Sequence, residues 1–304
     1  MRNVKIIGFG TFVPESYVMF GDQKRYRILN NSETQLSMGV KSAERALNNA
    51  NMTIDDIDCI IGACACPMQL IPCNAALFHE KLAKGKDIPA FDVGTTCTSF
   101  ITAFDTASYL IDAGRYKNIL IISSEVPSIA LNPKQKESFE LFSDGAASFV
   151  ISKSNGESGV ISSNQNTYSE GAHLTEIKAG GSMYPGWDFN GENIADYQFN
   201  MSGLKILRLT MEKLKGFMKN INTGDFDLIV PHQASKSLRT IMKRLDIPNE
   251  KFVDIVKDYG NMVSVSVPFA LAYSLEKTKV KRGQKILLIG TAAGLTISSL
   301  SFVY

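Results

Sequence analysis

Cys97 is the residue whose surroundings best suit a nucleophile. It follows Ile88-Pro-Ala-Phe-Asp-Val93, an apolar run that reads as a buried strand, and Gly94-Thr-Thr. It precedes a segment whose apolar residues Phe100, Phe104 and Leu110 read as a helix face. A thiol at a helix N-terminus meets free N–H groups and aligned peptide dipoles, which favour the thiolate and raise the reactive fraction. The plain alternative is a small apolar residue packed under the helix.

Three histidines occur, at 79, 173 and 232. His232 follows the apolar strand Asp227-Leu-Ile-Val230 and Pro231, the strand-end position from which α/β folds present side chains into a crevice. His79 falls in an amphipathic helix and His173 in a polar stretch, and neither is assigned a role. Asn261, in Asp258-Tyr-Gly-Asn261, lies between an expected strand at Phe252 to Val256 and a helix containing Pro268. Asn beside Gly also fits an ordinary turn. Gly290-Thr-Ala-Ala-Gly294 offers small residues where backbone N–H groups can approach a reacting oxygen. It is neither a phosphate-binding nor a dinucleotide-binding glycine loop.

The elements that must hold these residues alternate. Strand-like runs at Cys59 to Ile61, Ala90 to Val93, Ile119 to Ile122, Leu228 to Val230 and Ile286 to Ile289 are separated by helical patterns at Thr34 to Asn49, Thr98 to Ala113, Leu204 to Met218, Lys236 to Leu245 and Val265 to Lys277. That rhythm indicates an α/β fold. The polar, turn-rich Ser152 to Gly159 falls near the midpoint and divides the chain into 1–155 and 156–304. The segment Ala179 to Asn200, with the single tryptophan Trp187, reads as a long loop.

Composition excludes several classes. The 304 residues carry 32 basic and 30 acidic side chains, a net charge of +2, without the strong basicity of a dedicated nucleic-acid binder. The N-terminal apolar run around Val4, Ile6 and Ile7 is too short for a secretion signal, no stretch approaches ~18 apolar residues, and no lipidation motif stands at either end. A cytoplasmic protein is expected. Five cysteines, at 59, 64, 66, 73 and 97, form an odd set that fits reduced thiols. Cys64-Ala-Cys66 with Cys73 lacks the second ligand pair of a zinc site, so no metal is expected.

In order along the chain, DVGTTCTSF at Asp92 to Phe100, PHQAS at Pro231 to Ser235, YGNMVSVSVPFAL at Tyr259 to Leu271 and GTAAGLT at Gly290 to Thr296 resemble motifs of the 3-oxoacyl-acyl-carrier-protein synthase III family. FSDGAAS at Phe142 to Ser148 and FNMSG at Phe199 to Gly203 are similar to two further family elements. The resemblance implies a thiolase-like fold: two pseudo-symmetric halves, each with a mixed β-sheet, layered αβαβα, assembled as a homodimer. Cys97 matches the acylated cysteine. His232 and Asn261 match the pair that stabilises the enolate formed when a malonyl-carrier thioester loses carbon dioxide, and the N–H groups of Cys97 and Ala293 match the oxyanion hole. No cofactor is implied beyond the thioester substrates carried by coenzyme A or an acyl carrier protein. Asn261 separates the chain from the related Cys-His-His synthases, while plant-type polyketide synthases share Cys-His-Asn on longer chains.

Two departures concern the primer. The family's early tryptophan and arginine-threonine-glycine segment, which helps hold the coenzyme A adenine, is replaced at Phe20 to Ser37 by FGDQKRYRILNNSETQLS, and the aromatic residue that closes the acyl pocket is replaced in Leu70-Ile71-Pro72. A non-standard primer is expected. Lys236, Arg239, Lys243 and Arg244 cluster after His232, and their spacing places three of them on one helix face, which is either an ordinary solvated face or, as the resemblance implies, a docking surface for an acidic carrier protein. A cysteine-dependent acyltransferase without condensation, or a non-catalytic partner subunit of another synthase, remains the alternative reading.

Overall fold

Unbroken apolar runs such as Ile119-Leu-Ile-Ile122 and Ile286-Leu-Leu-Ile289, rather than alternating ones, require strands covered on both faces. The computed structural model describes residues 1–30, 32–277 and 280–304 and places these runs at the centre of two sheets. The first half of the chain forms β1 (Val4–Phe12), β2 (Tyr17–Phe20), β3 (Gln23–Tyr26), α1 (Gln35–Asn49), β4 (Cys59–Gly62), α2 (Asn74–Leu82), β5 (Ala90–Asp92), α3 (Ser99–Asp112), β6 (Asn118–Glu125), α4 (Lys136–Phe139) and β7 (Gly145–Lys153). The second forms β8 (Gly159–Thr167), β9 (Thr175–Glu176), β10 (Asn200–Met201), α5 (Gly203–Met218), β11 (Leu228–Pro231), α6 (Leu238–Arg244), α7 (Val256–Tyr259), α8 (Ser266–Lys277), β12 (Lys285–Ala292) and β13 (Thr296–Val303).

The first sheet has the order β1-β7-β6-β4-β5, and the second, β8-β13-β12-β11, repeats its first four strands. In both, two antiparallel pairings are followed by a parallel one. Side-chain alternation assigns each face. Ile119 and Ile121 of β6 enter a central core with Phe100 and Phe104 of α3, while Leu120 and Ile122 join Ala43, Ala46 and Leu47 of α1. Ile286 and Leu288 of β12 face the same central core, and Leu287 and Ile289 pack with Leu214, Phe217, Leu238 and Met242 of α5 and α6. The helices α3 and α8 therefore form one middle layer between the sheets, and α1, α2, α5 and α6 form the outer layers. This is the αβαβα arrangement. Each such Ile or Leu withdrawn from water contributes about 1.5–3 kcal/mol.

Three local expectations change. Phe252 to Val256 is not a strand: Phe252 makes one isolated bridge to Ile229, and α7 begins at Val256. The helix expected from Lys236 begins at Leu238, so Lys236 lies in the preceding turn. The strand at Ile88 to Val93 is shorter and is not buried, because β5 is an edge strand with one neighbour. Ahead of α1, β2 pairs with β3 in a β-hairpin that spans Tyr17 to Tyr26 and folds against the body of the protein.

Gly8 and Gly10 let α1 lie directly on β1. A Cβ at Gly10 would stand 2.4 Å from the Ser42 carbonyl oxygen and 2.6 Å from the Ala46 nitrogen, and one at Gly8 would stand 2.3 Å from the Ala46 carbonyl oxygen. Backbone cannot yield as a flexible side chain can. Gly10→Ala should therefore lower stability by about 1–3 kcal/mol in urea unfolding, the usual range for overpacking, whereas Gly94→Ala, which meets open space, serves as the silent control.

Candidate active site

Cys97 sits on a sharp elbow between β5 and α3. Thr96 adopts φ 48°, a left-handed conformation costly for a β-branched residue, and the turn Thr96–Thr98 is 3-10 before α3 starts at Ser99. Ser99 holds the elbow: its Oγ accepts from the Thr95 N–H at 3.0 Å and donates to the Thr96 carbonyl at 2.7 Å. Asp92 anchors the approach by accepting from the N–H groups of Asn74 and Ala75 at 2.9 and 2.7 Å.

The second half builds the same elbow before α8. Val263 has φ 54°, Val263–Val265 is a 3-10 turn, and the Met262 N–H donates to Ser266 Oγ at 2.8 Å. By this correspondence Ser264 occupies the place that Cys97 has in the first half. Asn261 lies just ahead of the elbow, fixed by a β-bridge to Phe142: its N–H donates to the Leu141 carbonyl and its carbonyl accepts from the Ser143 N–H, both at 2.9 Å.

His232 follows β11, with its backbone N–H on the Ile289 carbonyl at 2.8 Å. The ring Nδ1 faces the Thr291 carbonyl oxygen at 2.8 Å, and Nε2 faces Asn261 Oδ1 at 3.1 Å. Both oxygens only accept, so the neutral ring donates to one of them at a time, from Nδ1 to Thr291 or from Nε2 to Asn261. Asn261 Oδ1 also accepts from the Val263 N–H at 2.8 Å and from Ser266 Oγ at 3.0 Å, which fixes the amide and leaves its Nδ2 as the donor it can offer a ligand. Two residues after Thr291, the Ala293 N–H faces the Cys97 thiol and favours its ionised form. Gly290 lies at the junction: a Cβ there would stand 3.0 Å from Thr98 and 3.4 Å from the His232 Cβ. The structure thus brings Cys97, His232, Asn261 and Ala293 together.

Burial dominates the electrostatics. It pushes the Cys97 thiol up to about 12, with the Glu125 carboxylate adding to the rise and the N–H groups of Ala293 and Cys97 opposing it. The expected thiolate-favouring effect of the helix N-terminus is therefore set against desolvation. Burial also lowers His232, despite the hydrogen bonds to Asn261 and Thr291, so the neutral ring prevails near neutral pH. Glu125 escaped the sequence reading because a carboxylate ending an apolar strand looks like an exposed end. It is buried, raised to about 7 by desolvation, and held by Ser264 Oγ at 2.5 Å and the N–H groups of Ala65 and Cys66.

Other candidates lie apart. The His79 Nε2 is 3.0 Å from the Lys86 carbonyl oxygen, and exposed His173 pairs with Glu176. Lys236, Arg239, Lys243 and Arg244 are all exposed around α6, but Lys236 bonds Glu140 at 3.1 Å and Arg239 bonds Asp254 at 2.7 Å.

Residues 91–169 match the family profile described as 3-oxoacyl-[acyl-carrier-protein (ACP)] synthase III, and residues 218–304 match the profile of its C-terminal part. The beta-ketoacyl-[acyl-carrier-protein] synthase III of Clostridium perfringens is 32% identical over 97% of this chain and 98% of its own length. That of Clostridium acetobutylicum is 30% identical over 99% and 98%. The crystal structure of 3-oxoacyl-[acyl-carrier-protein] synthase III from Aquifex aeolicus superposes with a TM-score of 0.86 at 26% identity, covering 99% of this chain and 100% of that one.

Glu125 provides a pH test. The unfolded carboxyl ionises near 4.5 but the folded one near 7, so its contribution to stability is intact below pH 4.5 and is lost as pH rises toward and through 7. At about 1.4 kcal/mol per unit, the loss is on the order of 3 kcal/mol. Glu125→Gln should flatten the difference in unfolding free energy between pH 4.5 and 8. The same change should move the pH midpoint of Cys97 alkylation by iodoacetamide downward, because a repelling anion has gone. Parallel stability curves and an unmoved midpoint would refute both effects.

Proposed function

The chain belongs to the 3-oxoacyl-[acyl-carrier-protein] synthase III family of acyl-transferring condensing enzymes, and from that premise we propose that Cys97 accepts an acyl group and His232 and Asn261 promote its decarboxylative condensation with a malonyl-carrier thioester. The observation that carries this reading is the meeting of the Cys97 thiol with the Ala293 N–H beside the His232–Asn261 pair. In the first half-reaction the Cys97 sulfur attacks the thioester carbonyl, and the N–H groups of Cys97 and Ala293 receive the negative oxygen. The carrier thiol leaves with the proton that the cysteine gave up.

In the second half-reaction the malonyl thioester loses carbon dioxide and the electron pair becomes an enolate. Its oxygen needs donors. Asn261 Nδ2 supplies one, and His232 supplies the other from Nε2 when that nitrogen carries a proton. The enolate carbon then attacks the Cys97 thioester, releasing the thiolate and the 3-oxoacyl product. Burial strengthens each of these contacts by excluding water.

The primer is non-standard in this proposal. Supporting it are the sequence FGDQKRYRILNNSETQLS at Phe20 to Ser37, which departs from the family's adenine-binding pattern, and the exposed Leu70-Ile71-Pro72 in place of the pocket-closing aromatic. The halves divide at 155 and 156, between β7 and β8, although α3 and α8 share one core. A homodimer is proposed on the family's habit. The acyl carrier protein docks at Lys236, Arg239, Lys243 and Arg244, with Lys243 and Arg244 the larger contributors, since no ion pair engages them among the described residues.

Intact-protein mass spectrometry with acyl thioesters should show one adduct, lost in Cys97→Ser; an adduct that persists removes the assignment. His232→Ala or Asn261→Ala should slow condensation ~10²-fold or more while acylation continues. An adduct that never yields a condensation product would indicate acyl transfer alone. For docking, Lys243→Glu with Arg244→Glu should depress turnover with a malonyl-carrier donor, in a salt-dependent manner, and spare turnover with a small malonyl thioester. Equal losses with both donors would move the docking site elsewhere.

A further inference from the structure

Arg25 is wholly buried, the largest side chain among the described residues to be so. It stands in β3 of the N-terminal hairpin, within the Phe20 to Ser37 stretch whose sequence departs from the family's adenine-binding pattern. A buried guanidinium ordinarily needs a carboxylate partner. Arg25 instead spends its donors on neutral oxygens: Nε on the Glu140 carbonyl at 2.8 Å, Nη1 on the Lys257 and Lys24 carbonyls at 3.0 and 2.5 Å, and Nη2 on Gln23 Oε1 at 2.8 Å.

Two of those carbonyls flank Asn261. Glu140 precedes the 141–143 segment to which Asn261 is bridged, and Lys257 lies in α7, one turn before Asn261. The guanidinium therefore ties together the two chain segments whose pairing sets the Asn261 backbone. Contact is close. Gly260, immediately before Asn261, has φ 67°, and a Cβ there would stand 2.4 Å from the Leu141 carbonyl oxygen, 2.7 Å from Arg25 Cδ and 2.9 Å from its Nε. The rest of the hairpin reinforces this anchorage: Tyr26 donates its N–H to Ser143 Oγ at 3.1 Å, accepts from the Asp144 N–H at 2.8 Å, and stacks on Tyr259 with ring centroids 5.7 Å apart. Lys257 Nζ pairs with Asp22 at the hairpin tip at 2.8 Å.

We propose that Arg25 is a positioning residue for Asn261, clamping the Glu140 and Lys257 carbonyls so that the Asn261 amide stays aimed at the reacting oxygen. The N-terminal hairpin thus supports the condensation site, a role distinct from holding coenzyme A. The catalytic part of this inference rests on the enolate role given to Asn261 above, and the structural part does not. Only a forked, five-donor group reaches both carbonyls at once, so lysine is no substitute.

The test compares Arg25→Lys, Arg25→Gln and Gly260→Ala with the parent enzyme. Each should lower kcat for condensation about 10-fold or more, the scale expected when a reacting group is displaced by a fraction of an ångström to an ångström. KM and the rate of Cys97 acylation should change little. Combining Arg25→Gln with Asn261→Ala should cost no more than Asn261→Ala alone, since the clamp acts only through that side chain. Hydrogen exchange supplies an arm independent of the reaction: in Arg25→Lys, amides of the 256–263 segment should exchange faster while those of the 95–105 segment keep the parent rate.

Equal losses in acylation and condensation, a uniform rise in exchange, or additive effects in the double variant would overturn the clamp and leave Arg25 a general packing residue. If Asn261→Ala itself condenses at the parent rate, the enolate role falls, and the segment-selective exchange then decides the clamp alone.

Discussion

The structure depends on one constraint: α3 and α8 must share a single dry layer between two sheets. Because both helices begin where a short chain segment turns sharply into that layer, their N-terminal elbows meet at the level where the sheets end. The same serine device holds each elbow, Ser99 in one half and Ser266 in the other. Left-handed Thr96 and Val263, which would be disfavoured alone, are tolerated because the packed layer and these bonds together over-determine the turn. The site is built where the two turns meet.

The two halves repeat one layout but carry unlike groups at matching places. Cys97 and Ser264 occupy matching places, yet one presents a thiol beside the Ala293 N–H while the other donates to Glu125. His232 and Asn261 come from the second half, Cys97 from the first, and the carbonyls that orient them come from β12 and the 141–143 segment. With the roles proposed above, neither half contains a complete site. The central core, with residues from β1 through β13, follows the same rule.

Several polar groups are taken out of water around this junction, and each is handled differently. Glu125 is shifted toward its neutral form, His232 is held neutral, and Arg25 remains a cation solvated by main-chain oxygens. Desolvation of this kind is costly to stability. It also removes competing water from the donors that a developing anion would use, so the cost and the chemical benefit arise from the same burial.

Much was legible in the sequence. The unbroken apolar runs required sheets covered on both faces, the α/β rhythm placed the main helices within one or two residues, and the motifs around Cys97, His232, Asn261 and Ala293 marked the residues that the structure gathers. These signals survive in one dimension because periodicity and local turn chemistry depend on neighbours in the chain. What the sequence could not decide depends on partners far away: that Glu125 is buried against a loop 60 residues earlier and a turn 139 residues later, that β5 is an exposed edge, and that Arg25 points inward to a carbonyl 232 residues on. A charged residue in a polar hairpin reads as solvated until tertiary packing brings main-chain oxygens to it, because burial and hydrogen-bond satisfaction are properties of the assembled fold and have no period along the chain.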